Sequence, residues 1–197
     1  MDALELLKQI PDKSIDLVVT DPPYGMNFRS NRRKEKYDKI IGDDEFPMWI
    51  FDEFFRVSRK AVYIFCRWDN IYDLPKPKSL ISWVKNNHSS GDLFHEHARK
   101  WEAICFYPME EHKFIKRTPD VVNNKKTGNK FHPTQKPTDL IEHLIRSNEG
   151  QLILDPFMGS WTTAVSCQNL KRDFIGCELD KDYCEIGKRR LRQKTLF

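Results

Sequence analysis

A carboxylate, two prolines and an aromatic ring follow one another after an apolar, β-branched run. The run from Ile15 to Thr20 has the composition of a buried strand, and Asp21-Pro22-Pro23-Tyr24-Gly25 comes directly after it. Two consecutive prolines cannot continue a central strand, so the chain must turn here. A carboxylate, a backbone carbonyl and a ring are thereby placed at the carboxyl end of a strand, where open α/β sheets bind ligands. The full string favours a site over the alternative, an ordinary Asp-Pro turn.

A second string with the same character lies near the other end of the chain. The apolar residues before Asp155 read as a strand, Asp155-Pro156-Phe157-Met158-Gly159-Ser160 follows as a loop, and a helix is predicted after it. This is the first turn of a βαβ unit, where a helix N-terminus faces a ligand. Glu178 ends the next predicted strand, about twenty residues on, where an acid binds the ribose hydroxyls of a nucleoside cofactor. The loop lacks the full G-x-G-x-x-G of dinucleotide binders, which argues against a pyrophosphate.

Together the two strings resemble the motifs of the amino-methylating DNA methyltransferases. Asp21 to Tyr24 is similar to the catalytic motif of that family, and Leu154 to Ser160 is similar to its cofactor loop. The catalytic string comes first, an order that resembles the circularly permuted beta group of adenine-N6 and cytosine-N4 enzymes. The resemblance covers nearly the whole chain. It implies an α/β, Rossmann-like S-adenosylmethionine-dependent methyltransferase fold, with a mostly parallel sheet and helices on both faces.

The resemblance also implies S-adenosyl-L-methionine as the cofactor, and a loop led by Asp155 suits its positive sulfonium better than it suits a diphosphate. A third string, Phe131 to Pro137, resembles a family motif that lies against the cofactor. The cofactor-binding residues that follow, position by position, are Asp21, His132, Thr134, Lys136, Pro137, Asp155, Phe157, Gly159, Ser160, Thr162, Thr163 and Glu178.

For the reaction, the resemblance implies direct methyl transfer to an exocyclic amino group of a base flipped out of the duplex. The predicted catalytic residues are Asp21, Pro22, Pro23 and Tyr24. Asp21 and the Pro22 carbonyl would accept hydrogen bonds from the two N–H groups of the amine, and Tyr24 would stack on the base. An acid at the first position favours adenine N6, because the cytosine-N4 group more often carries serine there. A cytosine-N4 or RNA enzyme remains the alternative, and the basic loops argue against methylation of protein amides.

One residue of the cofactor loop departs from the family pattern. Trp161 stands in Gly159-Ser160-Trp161-Thr162-Thr163, where the family normally has glycine. Glycine at such a turn permits unusual dihedral angles and a close approach of the ligand. Either the indole turns outward and cofactor binding survives in weakened form, or it fills the site and leaves an impaired or inactive nucleic-acid-binding relative. The sequence leaves both hypotheses open.

Basic residues are concentrated in two segments, although the formal net charge is only +4. Beside an active site at a strand end, a nucleic-acid backbone explains such clusters better than two solvated loops. The predicted partner is therefore double-stranded DNA. The predicted contacts are Arg29, Arg32, Arg33, Lys34, Lys36, Lys39, Lys125 and Lys126.

A length of 197 residues suits one methyltransferase domain spanning 1–197. We divide it into a catalytic half at 1–107, short recognition loops at 85–131 and a cofactor-binding half at 132–197. The recognition segment has no room for a separate domain, so we expect a short or relaxed target sequence. In the family a strand usually precedes the first helix. Without it an unpaired sheet edge would invite a second copy, so a homodimer is an alternative assembly.

Composition points to a cytoplasmic protein, and the resemblance implies a bacterial, phage or archaeal context. No apolar run approaches the ~18 residues of a membrane span, and the N-terminus lacks the pattern of a signal peptide. Five cysteines without metal-type spacing indicate reduced thiols. His95-Glu96-His97 has no companion ligand cluster, so we predict a solvated loop and no metal.

Periodicity predicts the elements that must position these residues. Helices are expected at 2–9, 46–58, 139–147, 160–170 and 181–192. Strands are expected at 15–20, 61–66, 80–84, 101–107, 151–155 and 174–177. We expect the polar segments 85–100 and 108–131 to be loops that contact a partner.

Overall fold

The computed structural model describes residues 1–25, 48–88, 94–95, 97–125, 131 and 135–193. The helices are α1 (Ala3–Gln9), α2 (Ile50–Val57), α3 (Thr138–Arg146), α4 (Thr162–Leu170) and α5 (Lys181–Arg192), with a 3-10 turn at Asn70–Tyr72. The strands are β1 (Ile15–Thr20), β2 (Ser58–Cys66), β3 (Ser79–Val84), β4 (Trp101–Pro108), β5 (Val121–Asn123), β6 (Leu152–Asp155) and β7 (Asp173–Gly176).

The described strands form one sheet in the order β5-β3-β4-β2-β1-β6-β7. Strand β4 runs antiparallel to β2 and β3, and every other neighbouring pair is parallel. The carboxyl ends of the remaining strands therefore meet at one edge of the sheet, together with the amino end of β4. We call this the catalytic edge. The arrangement confirms the predicted mostly parallel α/β sheet.

Strand β1 is an interior strand of this sheet and joins segments that are far apart in the chain. It pairs with β2, where Thr20 lies opposite Ile64, and with β6, where Val18 lies opposite Leu154. All six residues of β1 are buried, as expected for a strand covered on both faces and paired on both sides. The pairing with β6 places the ends of the catalytic and cofactor strands side by side.

Helices cover both faces of the sheet, as predicted. On one face Leu7 of α1 and Phe54 of α2 pack with Val18 in a single apolar cluster. On the other face Leu140 and Leu144 of α3 pack with Leu17 and Val19 of β1. Each fully buried aliphatic or aromatic side chain of this kind contributes roughly 1.5–3 kcal/mol, so the two clusters hold β1 rigidly beneath the site.

Two helices begin at aspartates that cap them. The Asp2 carboxylate accepts a hydrogen bond from the Leu4 amide, 2.8 Å away, at the start of α1. Asp180 accepts from the Asp182 and Tyr183 amides at the start of α5. Such caps satisfy amides that have no partner inside the helix, and they fix where α1 and α5 begin.

Strand β5 corrects the expectation of a loop throughout 108–131. Val121–Asn123 pairs in parallel with β3, and Val122 is buried in the core. Three residues are too short for a periodic signal, and the pairing depends on β3, which is distant in sequence. Both β4 and β5 thus lie within the range 85–131 that we predicted to hold recognition loops.

Among the described residues, no helix is both long enough and apolar enough to cross a membrane. The five cysteines all lie in the described ranges and are free thiols.

Candidate active site

The catalytic and cofactor strings begin at neighbouring strand ends and are linked directly. Thr20 is the last residue of β1 and Asp155 is the last residue of β6. The Thr20 hydroxyl donates a 2.8 Å hydrogen bond to Asp155 Oδ1, and both side chains are buried. Asp21 follows Thr20 immediately, so its carboxylate and the cofactor loop lie at the same catalytic edge.

The Asp21 carboxylate is held by one cation and one hydroxyl. Lys136 Nζ lies 2.6 Å from Asp21 Oδ2, and the Tyr24 hydroxyl donates to Oδ1 at 2.5 Å. Burial raises the pKa of Asp21, and the charge of Lys136 acts against that rise. Burial would lower the pKa of Lys136, but the charges of Asp21 and Glu102 outweigh it, so that pKa is raised. The buried Lys136 ammonium therefore opposes the effect of burial on the Asp21 carboxylate beside it.

A row of alternating charges continues along the catalytic edge from this pair. Lys136 Nζ lies 3.4 Å from Glu102 Oε2, and Lys85 Nζ lies 2.5 Å from Glu102 Oε1. Lys85 directly follows β3, and Glu102 is the second residue of β4. The ammonium of Lys136 also lies 5.1 Å from the centre of the Phe65 ring. Sequence reasoning missed Lys85 and Glu102. A charged residue at a strand end is their only local signal.

The Asp155 carboxylate is satisfied by neutral donors instead. Besides the Thr20 hydroxyl, its Oδ1 accepts the Phe157 amide at 3.1 Å, and the Thr163 hydroxyl also bonds to the carboxylate. No ammonium or guanidinium group of the described residues pairs with it. Burial raises the pKa of Asp155 to about 6. These contacts tie the start of the cofactor loop to both β1 and α4.

Glu178 ties the middle of the cofactor loop to the segment after β7. Its Oε2 accepts the Gly159 amide at 2.7 Å, and its Oε1 accepts the Asp180 amide at 2.9 Å. Burial raises its pKa, and the two amides act against that rise. A carboxylate therefore stands over the loop at the place where the sequence predicts one for ribose hydroxyls.

Trp161 has a backbone conformation that explains why glycine is usual at its position. Its φ is +64°, in the left-handed region, which costs a residue with a side chain about 1–2 kcal/mol. Its amide donates to the Met158 carbonyl at 2.7 Å, which closes the loop just before α4. The indole lies against α5, where a Cβ on Gly187 would overlap its Cγ and Cδ2 atoms. In this structure, therefore, the side chain packs on a helix.

Arg190 of α5 binds the same loop on either side of Trp161. Its Nη1 donates to the Ser160 carbonyl, and lies 3.2 Å from both Ser160 Oγ and Thr162 Oγ1. The guanidinium lies 5.1 Å from the centre of the Phe131 ring, and burial lowers its pKa. Sequence reasoning also missed Arg190, which reads as one of several basic residues on a surface helix.

The other predicted site residues fall into two groups. In the described part, Pro22 is buried at the catalytic turn, and Lys125 is exposed just after β5 at the catalytic edge. Pro137 directly precedes α3, and Thr162 is the first residue of α4. The remaining predicted residues lie outside the described residues: His132, Thr134, Arg29, Arg32, Arg33, Lys34, Lys36, Lys39 and Lys126. Their predicted roles stay predictions.

Comparison with known proteins agrees with this geometry. Residues 97–189 match the family of N6/N4 DNA methylases. The DNA adenine methyltransferase YhdJ of Escherichia coli is 30% identical, over 96% of this chain and 80% of its own length. The type II methyltransferase M.HpaI of Haemophilus parainfluenzae is 29% identical, over 96% of this chain and 72% of its own length.

Solved structures give the same result. The complex of M1.HpyAVI with S-adenosylmethionine has a TM-score of 0.70 and 28% identity, with 96% of each chain covered. The cytosine-N4-specific PvuII DNA methyltransferase has a TM-score of 0.73 at 18% identity, covering all of this chain and 86% of that one. At that identity the second similarity concerns the fold alone.

The fold and the site define an S-adenosylmethionine-dependent methyltransferase, with the catalytic strand placed before the cofactor strand. The chain belongs to the N6/N4 DNA methylase family, whose members use S-adenosylmethionine. The resemblance identified from the two sequence motifs is thereby confirmed, together with the predicted fold class and cofactor.

Proposed function

We propose that this chain transfers a methyl group from S-adenosylmethionine to the exocyclic N6 amino group of adenine in double-stranded DNA. The observation that carries the proposal is the meeting of two strand ends. The Thr20–Asp155 hydrogen bond of 2.8 Å joins them, so Asp21 and the cofactor loop share one edge of the sheet. Methyl transfer by direct displacement requires that nucleophile and donor meet in one crevice.

The donor groups at the cofactor loop suit a nucleoside sulfonium. Acidic and hydroxyl side chains line it, and the Glu178 carboxylate stands beside the Gly159 amide. Arg190 is the one cation bonded to the loop among the described residues, and its Nη1 is engaged by Ser160 and Thr162. The site is thus suited to a positively charged ligand with ribose hydroxyls rather than to a pyrophosphate. When bound, the cofactor would supply an electrophilic methyl group, held by the loop and Glu178.

Asp21 has the capacity to hold the amine of a flipped base. Each carboxylate oxygen has about two acceptor sites, and Lys136 and Tyr24 each use one. The remaining sites are available for an N–H of the base, and the Pro22 carbonyl would accept from its second N–H. These bonds draw the nitrogen lone pair out of the ring system and stabilise the charge that develops on nitrogen.

Lys136 and Tyr24 would favour the ionised form of Asp21, which accepts hydrogen bonds. Burial alone favours a protonated carboxyl group, which would compete with the amine as a donor. Burial and the charge of Asp21 raise the pKa of Tyr24, so its hydroxyl stays protonated and donates. In this arrangement Asp21 would also be an acceptor for the proton that the methylated nitrogen must lose.

The preference for adenine rests on Asp21 and on one relative. The resemblance associates an acid at this position with adenine enzymes. YhdJ, which is named as an adenine methyltransferase, is 30% identical to this chain. We propose cytosine N4 only as the alternative, since the N4-specific PvuII enzyme shares 18% identity.

Nucleoside mass spectrometry tests the proposal directly. The protein is incubated with unmethylated duplex DNA and methyl-labelled S-adenosylmethionine, the DNA is digested, and the labelled nucleosides are identified. We expect label in N6-methyladenine, and none with an Asp21→Ala protein prepared identically. Label in N4-methylcytosine would overturn the choice of base. A parallel reaction with RNA in place of DNA completes the test, and label in the RNA but not in the DNA would overturn the substrate. DNA binding without any label would indicate an impaired relative.

The homodimer is a separate proposal, and it concerns the edges of the sheet. Strand β7 pairs with β6 and is an edge strand of the described sheet. Such an edge presents backbone groups that a second copy is able to pair with. Sedimentation velocity with and without DNA tests the proposal, and a monomer at all concentrations would exclude it.

A further inference from the structure

We propose that Gly187 of α5 is a positioning residue for the cofactor loop. The space left by its missing side chain receives the Trp161 indole and keeps that indole away from the cofactor. The inference rests on the proposed function, because it concerns the S-adenosylmethionine site. It decides between the two hypotheses that the sequence leaves open for Trp161.

The position of Trp161 within the loop makes the direction of its side chain decisive. It lies two residues after Gly159, whose amide is bonded to Glu178, and directly before Thr162, the first residue of α4. An indole turned toward the Glu178 side would occupy space that the cofactor needs. The structure has it turned toward α5, with indole atoms nearest to the place where a Gly187 Cβ would be.

Two departures from local preference explain one another here. Glycine is among the least favourable residues in a helix interior, yet Gly187 lies in the middle of α5 and is its buried residue. Tryptophan rarely adopts a positive φ, yet Trp161 does so at +64°. The helix has no side chain at the position against which the loop packs a large one. Departures from local preference that compensate one another in this way are expected at functional sites.

Arg190 reinforces the same arrangement from the next turn of α5. It lies three residues after Gly187, so the two share a face of the helix. Its guanidinium bonds to Ser160 and Thr162, the residues on either side of Trp161. The indole Nε1 is buried and has no hydrogen-bond partner within the described part of the chain. The position of the indole is therefore determined by packing into the space at Gly187 rather than by a polar contact.

Filling the gap tests the proposal. Gly187→Leu should force the indole back toward the cofactor loop and weaken S-adenosylmethionine binding by roughly 10-fold or more, measured by calorimetry. Lys188→Leu is the matched control, since it places the same side chain at the neighbouring exposed position of α5, and should change the affinity less than about twofold. Combining Gly187→Leu with Trp161→Gly should restore the affinity to within about threefold of Trp161→Gly alone.

A second measurement does not depend on the cofactor. Helix propensity by itself predicts that Gly187→Ala raises the melting temperature. The packing proposed here predicts a lower melting temperature in the native background, and a higher one in the Trp161→Gly background.

The outcomes separate this inference from the proposed function. If Gly187→Leu binds the cofactor like the native protein, or loses equal affinity in both backgrounds, Gly187 has no special relation to Trp161 and the inference is overturned. If the native protein does not bind but Trp161→Gly does, the indole fills the site and the inference is likewise wrong. If neither binds, the proposed function itself fails, and this inference fails with it.

Discussion

Two acidic side chains stand at the ends of neighbouring strands, and the protein stabilises them in different ways. Asp21 has an ammonium partner, Lys136, at 2.6 Å. Asp155 has hydroxyl and amide donors, with Thr20 at 2.8 Å and the Phe157 amide at 3.1 Å, and no cation among the described residues. A counter-ion opposes the effect of burial on a carboxylate through its charge, whereas neutral donors oppose it through hydrogen bonds alone.

This difference in partners indicates separate roles for the two carboxylates. The partner of Asp21 also contacts Glu102, so the lysine has a second acceptor and Asp21 is able to accept a new donor. The contacts of Asp155 join β1, the cofactor loop and α4, all of which belong to the scaffold. We infer that Asp21 acts on the substrate and that Asp155 maintains the crevice in which it acts. The following substitutions test that division.

The largest effect is expected from Asp21→Ala. Without the carboxylate the amine is neither positioned nor polarised, so we expect kcat to fall roughly 10³-fold. Cofactor affinity should change less than about threefold, because the loop contacts of Asp155 and Glu178 remain. Asp21→Asn, which keeps one acceptor oxygen, should retain part of the activity. A large loss of cofactor binding in Asp21→Ala would mean that Asp21 has a structural role. The two carboxylates would then not have separate functions.

Asp155→Asn should change the pH dependence of stability. The carboxyl group ionises near its ordinary pKa of 3.8 in the unfolded chain and near 6 in the folded one. Between these values the folded state binds more protons, so stability falls as pH rises, and the loss is complete above the folded pKa. The asparagine variant lacks this effect. Its stability relative to the native protein should rise by roughly 2 kcal/mol from pH 4 to pH 7.

Urea unfolding of both proteins across that pH range measures this difference. A constant difference would mean that Asp155 keeps an ordinary pKa in the folded protein, contrary to this prediction.

Lys136→Met should affect chemistry more than binding. It removes the cation beside Asp21, so the pKa of Asp21 should rise further and the acidic limb of the kcat profile should move to higher pH. At neutral pH we expect a loss of roughly tenfold. Lys136→Arg retains the charge and should leave the limb in place. If the acidic limb of the kcat profile is unchanged in Lys136→Met, the lysine does not control the ionisation of Asp21.

The smallest effect is expected at Lys125, the predicted DNA contact that lies in the described part of the chain. If it neutralises one phosphate, Lys125→Ala should reduce the slope of log affinity against log salt by about 0.9. Lys188→Ala removes an exposed lysine of α5 and serves as the control. Equal slopes for the two variants and the native protein would place Lys125 outside the DNA interface.

Local chemistry predicted the elements that carry the motifs. The strand at Ile15–Thr20 and the helix at Lys181–Arg192 have the predicted bounds, because an apolar run before two prolines and an amphipathic stretch after a capping aspartate are signals contained in adjacent residues. Strand β5 lacked such a signal, since its three residues become a strand only by pairing with β3.

By itself, the sequence determined the two motifs, their order and the family to which the chain belongs, because each motif is a contiguous set of residues with its own turn chemistry. Tertiary structure alone decided which groups surround them. It brought Lys136 and Glu102 to Asp21, and Gly187 and Arg190 to Trp161, across long separations in the chain. Side-chain partners of this kind depend on how strands and helices pack, and no spacing along the chain records that.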